Sequence, residues 1–161
     1  MKFQFDPTTN HDFLADAKVA IIVGYFYQSI GDKLLEAAQK TLEKYGIDKN
    51  NVDVFYAPGA FEIPLLAKTL AKTRQYDGMV TLGAVIRGET PHFDFVCNEC
   101  ARGVAEVACE YEIPVTFGVL TTNDKQQAIG RAGGYKGNKG IEATLAMITM
   151  LYLIKQAKPT V

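Results

Sequence analysis

Histidine is scarce in this sequence: His11 and His92 are the only two among 161 residues. Cysteine is nearly as scarce, with Cys97, Cys100 and Cys109 confined to one short stretch. Cys97-x-x-Cys100 has the spacing of a redox pair or of half a zinc site, but no second Cys or His pair completes four ligands. The thiols read instead as small buried hydrophobes in a reducing cytoplasm, and no metal is expected. Charge of one sign is also lacking. Lys plus Arg number 17 against 18 Asp plus Glu, a net charge of −1 at pH 7, so neither nucleic acid nor an anionic membrane is an expected partner. The only long apolar run, near the C-terminus, is broken by Thr149 and bounded by Lys139 and Lys155, which is too short and mixed for a membrane span. The first residues carry Asp6, Asp12 and Asp16 and no apolar core, so no signal peptide is expected and the location reads as cytoplasmic. Two nucleotide signatures are missing as well. No Gly-x-Gly-x-x-Gly follows the first strand-like run, and Lys139 lies between Asn138 and Gly140 rather than in a Walker A context.

What is present is an ordinary globular composition, 48% hydrophobic and 22% charged, at a length that suits one domain. Residues 1–17 are polar and contain a proline, as an N-terminal arm or leading edge strand would, with His11 as a solvated arm residue; 18–161 reads as the single domain. Val19-Ala-Ile-Ile-Val23 is a continuous run suited to a parallel strand covered on both faces. A helix follows, with Leu34, Leu35, Ala38, Leu42 and Tyr45 at helical spacing until Gly46. Val52–Tyr56 is a second strand, and Pro64 suits the first turn of a helix running to about Gln75. Gly78–Leu82 is a third strand, feeding a helix from about Val96 to Tyr111. Pro114–Leu120 is a fourth, Asn123 or Asp124 caps a short helix, and a glycine-rich connection over 133–140 leads to a last helix from about Ile141 to Gln156. This alternation predicts an α/β fold with a four-stranded parallel sheet and helices on both faces. Right-handed crossovers then bring the strand-to-helix loops to one edge, where ligands bind.

The stretch Gly83–Asp94, Gly-Ala-Val-Ile-Arg-Gly-Glu-Thr-Pro-His-Phe-Asp, concentrates the chemistry. Gly83 and Gly88 permit turns or close approach, while Arg87, Thr90 and local N–H groups offer donors to an anion. His92 adds the side chain that ordinarily changes charge near neutrality. Phe26, Phe61 and Phe117 are each placed at a strand end on this edge. Singly each reads as rim packing; together they make a stacking site for a flat heterocycle. Glu62 is either an acceptor for sugar-like hydroxyls or a first-turn helix charge. Arg131 is either a solvated helix residue or a fork for phosphate, and Lys139 either belongs to a turn or holds an anion at a helix start. The last helix is apolar on nearly every side, through Ile141, Leu145, Met147, Ile148, Met150, Leu151, Leu153 and Ile154, which predicts a homo-oligomer.

Pro58–Pro64, Leu82–Asp94, Phe117–Thr122, Arg131-Ala-Gly and Gly137-Asn-Lys-Gly140 together resemble the lumazine synthase family, in order and with family-like spacing from about Val19 to Leu153. The resemblance implies a flavodoxin-like three-layer sandwich that works without cofactor or metal. It implies condensation of 5-amino-6-(D-ribitylamino)uracil with 3,4-dihydroxy-2-butanone 4-phosphate to 6,7-dimethyl-8-ribityllumazine, with release of phosphate and water, in riboflavin biosynthesis. Carried over, Phe26 stacks on the pyrimidine; Ala60, Phe61 and Glu62 line the ribityl and ring pocket; and Ala84, Val85 and Ile86 contact the same substrate. Glu89 and Thr90 serve the phosphate, Arg131 pairs with it, and His92 shuttles protons. The family also implies a homo-oligomer, a pentamer and in some members a sixty-subunit shell, in which Phe117, Arg131 and Lys139 reach the site from a neighbouring subunit.

The chain departs from the family pattern in three places. Tyr25-Phe26-Tyr27 stands where Arg-Phe-Asn is common, keeping the stacking ring but giving it bulkier flanks. Glu89 puts a carboxylate beside the phosphate cradle, so only its backbone N–H can help there, and Tyr135 stands where a smaller or charged residue is common. Two other functions fit parts of the pattern: a non-catalytic carrier of lumazine or flavin, and a flavodoxin-type electron carrier. His92, Arg131 and Lys139 weigh against the first, since storage needs aromatics but not a phosphate site.

Overall fold

Strand β1 (Val19–Gly24) is buried at every position, so it demands cover on both faces. The computed structural model describes residues 11–157. After β1 come α1 (Gln28–Lys44), β2 (Val52–Ala57), α2 (Ile63–Lys72), β3 (Gly78–Ile86), α3 (His92–Tyr111), β4 (Val115–Thr122) and the short α4 (Lys125–Arg131). A small antiparallel pair, β5 (Ala132–Gly134) and β6 (Gly137–Asn138), then leads into α5 (Lys139–Ala157). The first four strands form one parallel sheet in the order β2-β1-β3-β4. Strand alternation divides the core. Val19, Ile21 and Val23 pack with α1 and α5, whereas Ala20 and Ile22 pack with α2 and α3. The result is the flavodoxin-like α/β sandwich, with the reversal of strand order between β1 and β3 that marks a ligand edge.

Local chemistry explains the helix limits. Gly46 takes φ +86° just beyond α1, a left-handed conformation that suits glycine after a helix end. Pro64 lies in the first turn of α2, which stops at Lys72 rather than near Gln75, with Arg74 at φ 57° beyond it. Helix α3 begins at His92, four residues before the expected Val96. Pro91 precedes it at φ −63°, already set for helix entry. Asp124 caps α4 by accepting from the Gln127 N–H at 2.8 Å. The glycine-rich connection expected over 133–140 is largely the β5–β6 pair, and Lys139 is the first residue of α5. Where α5 starts, a Cβ on Gly140 would lie 2.3 Å from the Leu34 carbonyl oxygen, so only glycine lets the two helices approach this closely.

Of the predicted arm, 1–10 lie outside the described residues. The rest is partly packed: Asp12, Ala15 and Asp16 are exposed, but Leu14 is fully buried, and Phe13 lies 5.7 Å from the Tyr152 ring. His11, expected in solvent, is half-buried 5.7 Å from the Tyr45 ring. The aromatic surface of Tyr45 gives it a packing partner that local sequence does not reveal. Helix α5 buries Ala143, Thr144, Met147 and Ile148, yet leaves Ile141, Met150 and Leu153 exposed. Among the described residues no helix is long and apolar enough to cross a membrane.

The cysteines separate by helix face. Cys100 belongs to the buried stripe of α3 with Gly103, Val104 and Val107, Cys97 is half-buried, and Cys109 is exposed. The expectation of three buried thiols therefore fails at Cys109, which lies off that stripe. Burial, and secondarily Cys97, pushes the Cys100 thiol up to about 12, and burial also raises Cys97. Neither is a ready thiolate nucleophile. At pH 8, Cys100 is expected to escape iodoacetamide in the native protein and to be alkylated after denaturation, as read by peptide mass spectrometry. Native alkylation of Cys100 would contradict its burial.

On the β2 edge, Tyr76 is buried and donates to Asp53 Oδ2 at 2.7 Å. Burial first, and then this bond, pushes the phenol up to about 12. The folded protein therefore favours the protonated phenol. The stabilisation is complete below the unfolded value of about 10 and disappears as pH rises to about 12. Tyr76→Phe is expected to cost about 1 kcal/mol in urea unfolding at pH 8. It should also remove a late-ionising phenol from the ultraviolet titration; an unchanged titration would place that phenol elsewhere.

Candidate active site

The site arises from a difference in strand length. Pairing between β1 and β3 ends at Val23 and Leu82, whereas β3 stays paired with β4 as far as Ile86 and Thr122. At the point of divergence Gly83 takes φ +150°, and a Cβ there would lie 3.4 Å from the backbone of Gly24. A side chain at this position would be strained by the positive φ. Past Gly83, Ala84, Val85 and Ile86 have no β1 residue beside them, so this part of β3 forms a floor with one open backbone edge.

A cleft of about 530 Å³ opens over that floor, within the range of small-molecule sites. The β1–α1 junction contributes Phe26 and Tyr27, the β2–α2 loop contributes 58–62, and β3 contributes Ala84, Val85 and Ile86. Gly88, Thr90, His92, Phe93 and Val96 complete the lining from the β3–α3 loop and the start of α3. Phe26 is 76% exposed and Phe61 56%, large open rings at the cleft, and Tyr27 meets Phe26 edge-on at 5.0 Å. Ala60–Glu62 form a 3-10 turn that buries Ala60 and leaves Glu62 exposed. The arrangement offers apolar walls, flat rings, one carboxylate and one imidazole.

His92 is exposed in the first turn of α3, and its N–H lies 3.4 Å from Thr90 Oγ1. No side chain caps this helix end. The free N–H groups of a helix N-terminus attract anions, so Thr90, Gly88 and the start of α3 form a cradle beside His92. Arg87 does not join it, contrary to the sequence expectation. Its fork donates to Asp94 at 3.2 and 3.4 Å and to Asn123 Oδ1 at 3.1 Å, and its guanidinium carbon lies 4.3 Å from the Phe93 ring centroid. Three of its five N–H groups are thus engaged by protein acceptors. Among the described residues the cleft lining contains no Lys or Arg.

Three other predicted residues also stand apart in the single chain. Phe117 is not at a strand end. It is the third residue of β4, half-buried against the α2–α3 layer, because β4 begins at Val115 and extends beyond the expected Leu120 to Thr122. Arg131 ends α4 and donates through Nη1 to the Gln127 carbonyl at 3.1 Å. Lys139 pairs with Glu142 at 3.0 Å. Glu89 is exposed between two lining residues without lining the cleft itself. Sequence reasoning singled out neither Phe93 nor Val96 for the site. Both line the cleft because α3 begins at His92, which the Thr90-Pro91 pair could have signalled.

Comparison with known proteins shows the family. The family model described as 6,7-dimethyl-8-ribityllumazine synthase matches residues 16–155. A protein of Ruthia magnifica subsp. Calyptogena magnifica bearing that name is 69% identical, over 97% of this chain and 96% of its own. One of Vesicomyosocius okutanii subsp. Calyptogena okutanii (strain HA), with the same name, is 65% identical over 98% and 97% respectively. With the match running through every strand and every loop of the cleft, the chain belongs to the 6,7-dimethyl-8-ribityllumazine synthase family.

Proposed function

We propose that this chain is a transferase that condenses 5-amino-6-(D-ribitylamino)uracil with 3,4-dihydroxy-2-butanone 4-phosphate to 6,7-dimethyl-8-ribityllumazine, the penultimate step of riboflavin biosynthesis. The observation that carries the proposal is the cleft itself, where Phe26, Phe61, the β3 floor and His92 meet in a chain whose family is defined by that reaction's product. A flat pyrimidine fits between exposed aromatic rings and the open backbone edge of 84–86. Glu62 accepts from ribityl hydroxyls, and the Thr90 cradle receives the phosphate.

The chemistry asks for positioning and proton transfer. The 5-amino group attacks the ketone and loses water to give an imine. Tautomerisation expels phosphate, and the ribitylamino nitrogen then closes the ring with loss of a second water. His92 moves protons in these steps beside the leaving phosphate. Holding both substrates in one cleft supplies much of the acceleration, and a general acid–base adds about 10²–10⁴-fold.

The phosphate also explains why one chain is not enough. Its negative charge would enter a lining without Lys or Arg, while Arg131 and Lys139 stand outside. The proposed solution is a cytoplasmic homo-oligomer with a pentamer as its unit, in which a neighbouring copy supplies Phe117, Arg131 and Lys139. The exposed apolar residues Ile141, Met150 and Leu153 of α5 support an interface of this kind.

The direct test mixes purified protein with both substrates and follows lumazine fluorescence against an enzyme-free control. Rapid product formation is expected. No acceleration, with tight binding of lumazine or riboflavin, would mean a carrier instead. His92→Ala should slow turnover by about 10²–10⁴-fold without abolishing it. Arg131→Ala should raise the Michaelis constant of the butanone phosphate. Co-assembling His92→Ala and Arg131→Ala chains should restore part of the activity, because some mixed interfaces then hold both intact residues. No recovery would argue against sites shared between subunits.

A further inference from the structure

Arg87 is the one cation built into the loop that delivers His92, and its fork is engaged by protein groups on both sides rather than lining the cleft. It follows Ile86, the last residue of β3, and touches both the end of β4 and the first turn of α3. Its backbone N–H donates to the Thr122 carbonyl at 2.8 Å, and Nε donates to Asn123 Oδ1 at 3.1 Å, fastening the loop to the end of β4. Nη1 and Nη2 donate to Asp94 at 3.4 and 3.2 Å, and the guanidinium lies over the ring of Phe93 at 4.3 Å. Phe93 and Asp94 directly follow His92, and Phe93 is buried while lining the cleft.

From this geometry we infer that Arg87 is a positioning residue for His92: it fixes the first turn of α3 against the end of β4 and so sets where the imidazole stands in the cleft. Side-chain capping does not do this, since none holds the N-terminus of α3 and the Thr90–His92 contact is long, at 3.4 Å. Stability is a poor explanation for the cluster. Arg87 and Asp94 are 43% and 52% exposed in their side chains, and exposed pairs of this kind contribute little to folding. A planar fork that serves an acid, an amide and an aromatic ring together is instead a device of orientation. Lysine, a point charge on a flexible stem, cannot reproduce it. The step that depends on it is proton transfer, where displacement of a reacting group by about 1 Å costs roughly 10²-fold.

The inference rests on His92 as the proton shuttle, so its test is a cycle of variants in the full-length enzyme. Turnover number and both Michaelis constants would be measured for Arg87→Ala and Arg87→Lys, each alone and combined with His92→Ala. Arg87→Ala is expected to lower kcat by about 10- to 100-fold with both Michaelis constants changed less than about twofold, and Arg87→Lys is expected not to rescue it. In the His92→Ala background the Arg87 substitution should change kcat less than about twofold, because the group it places is gone. Asn123→Ala, which removes a single acceptor, should lower kcat by about two- to fivefold in the His92 enzyme alone. An equal loss in both backgrounds would overturn the positioning role while leaving His92 as the shuttle. A selective rise in the Michaelis constant of the phosphate substrate would overturn it in favour of direct contact. Unchanged turnover in His92→Ala itself would instead sink the shuttle assignment, and the positioning inference with it.

Discussion

The cleft depends on a mismatch between two neighbouring strands. Strand β1 ends at Gly24, while β3 runs on to Ile86 with only β4 beside it. Backbone that loses its strand partner at the centre of a sheet must find other hydrogen bonds, and a flat substrate with amide-like edges is one way to provide them. Gly83 makes the divergence possible, since its positive φ is one that a side chain would strain. The β1–α1 and β2–α2 loops can then close over the opening from one side and the start of α3 from the other.

Charge is distributed around this opening in an uneven way. The helix N-terminus at His92, Thr90 and the glycine at 88 offer dipoles and donors but no formal positive charge. The nearest candidate, Arg87, is spent on Asp94, Asn123 and the face of Phe93. Among the described residues, Arg131 and Lys139 have local partners, one a carbonyl in its own helix and the other Glu142. Such weakly held cations are cheap to redeploy, because exposed pairs one turn apart contribute little. A cleft without a lining cation and weakly held cations elsewhere on the surface have complementary charge, which is the basis of the proposed shared site.

The sequence was informative wherever one-dimensional pattern records burial. The β-branched run of β1, the alternation of strands with helical spacing, and the glycine and proline positions were enough to anticipate a parallel sheet with two helical layers. They also anticipated that Phe26, Phe61 and His92 would converge. Misreadings occurred where spatial partners override local pattern. Arg87 resembles a ligand donor until its fold-built partners are seen. Asn123 is 36 residues away, at the end of a strand whose register brings it alongside. Phe117 lies inside β4 near its start rather than at the ligand edge, and His11 packs on Tyr45, at the far end of α1, a partner that no local pattern records.

The sequence by itself determined the fold class and the motifs that carry the family, because hydrophobic period and turn chemistry are local properties. It also determined that the chain would leave an apolar helix face over, since no single sheet can cover so many sides of α5. Only the tertiary structure decided which polar groups are free to act. Availability depends on what a side chain has already bonded, and those partners come from loops that only the register of β3 on β4 brings together. Arg87 was thereby engaged by protein groups rather than lining the cleft, and His92 was placed at the head of a helix.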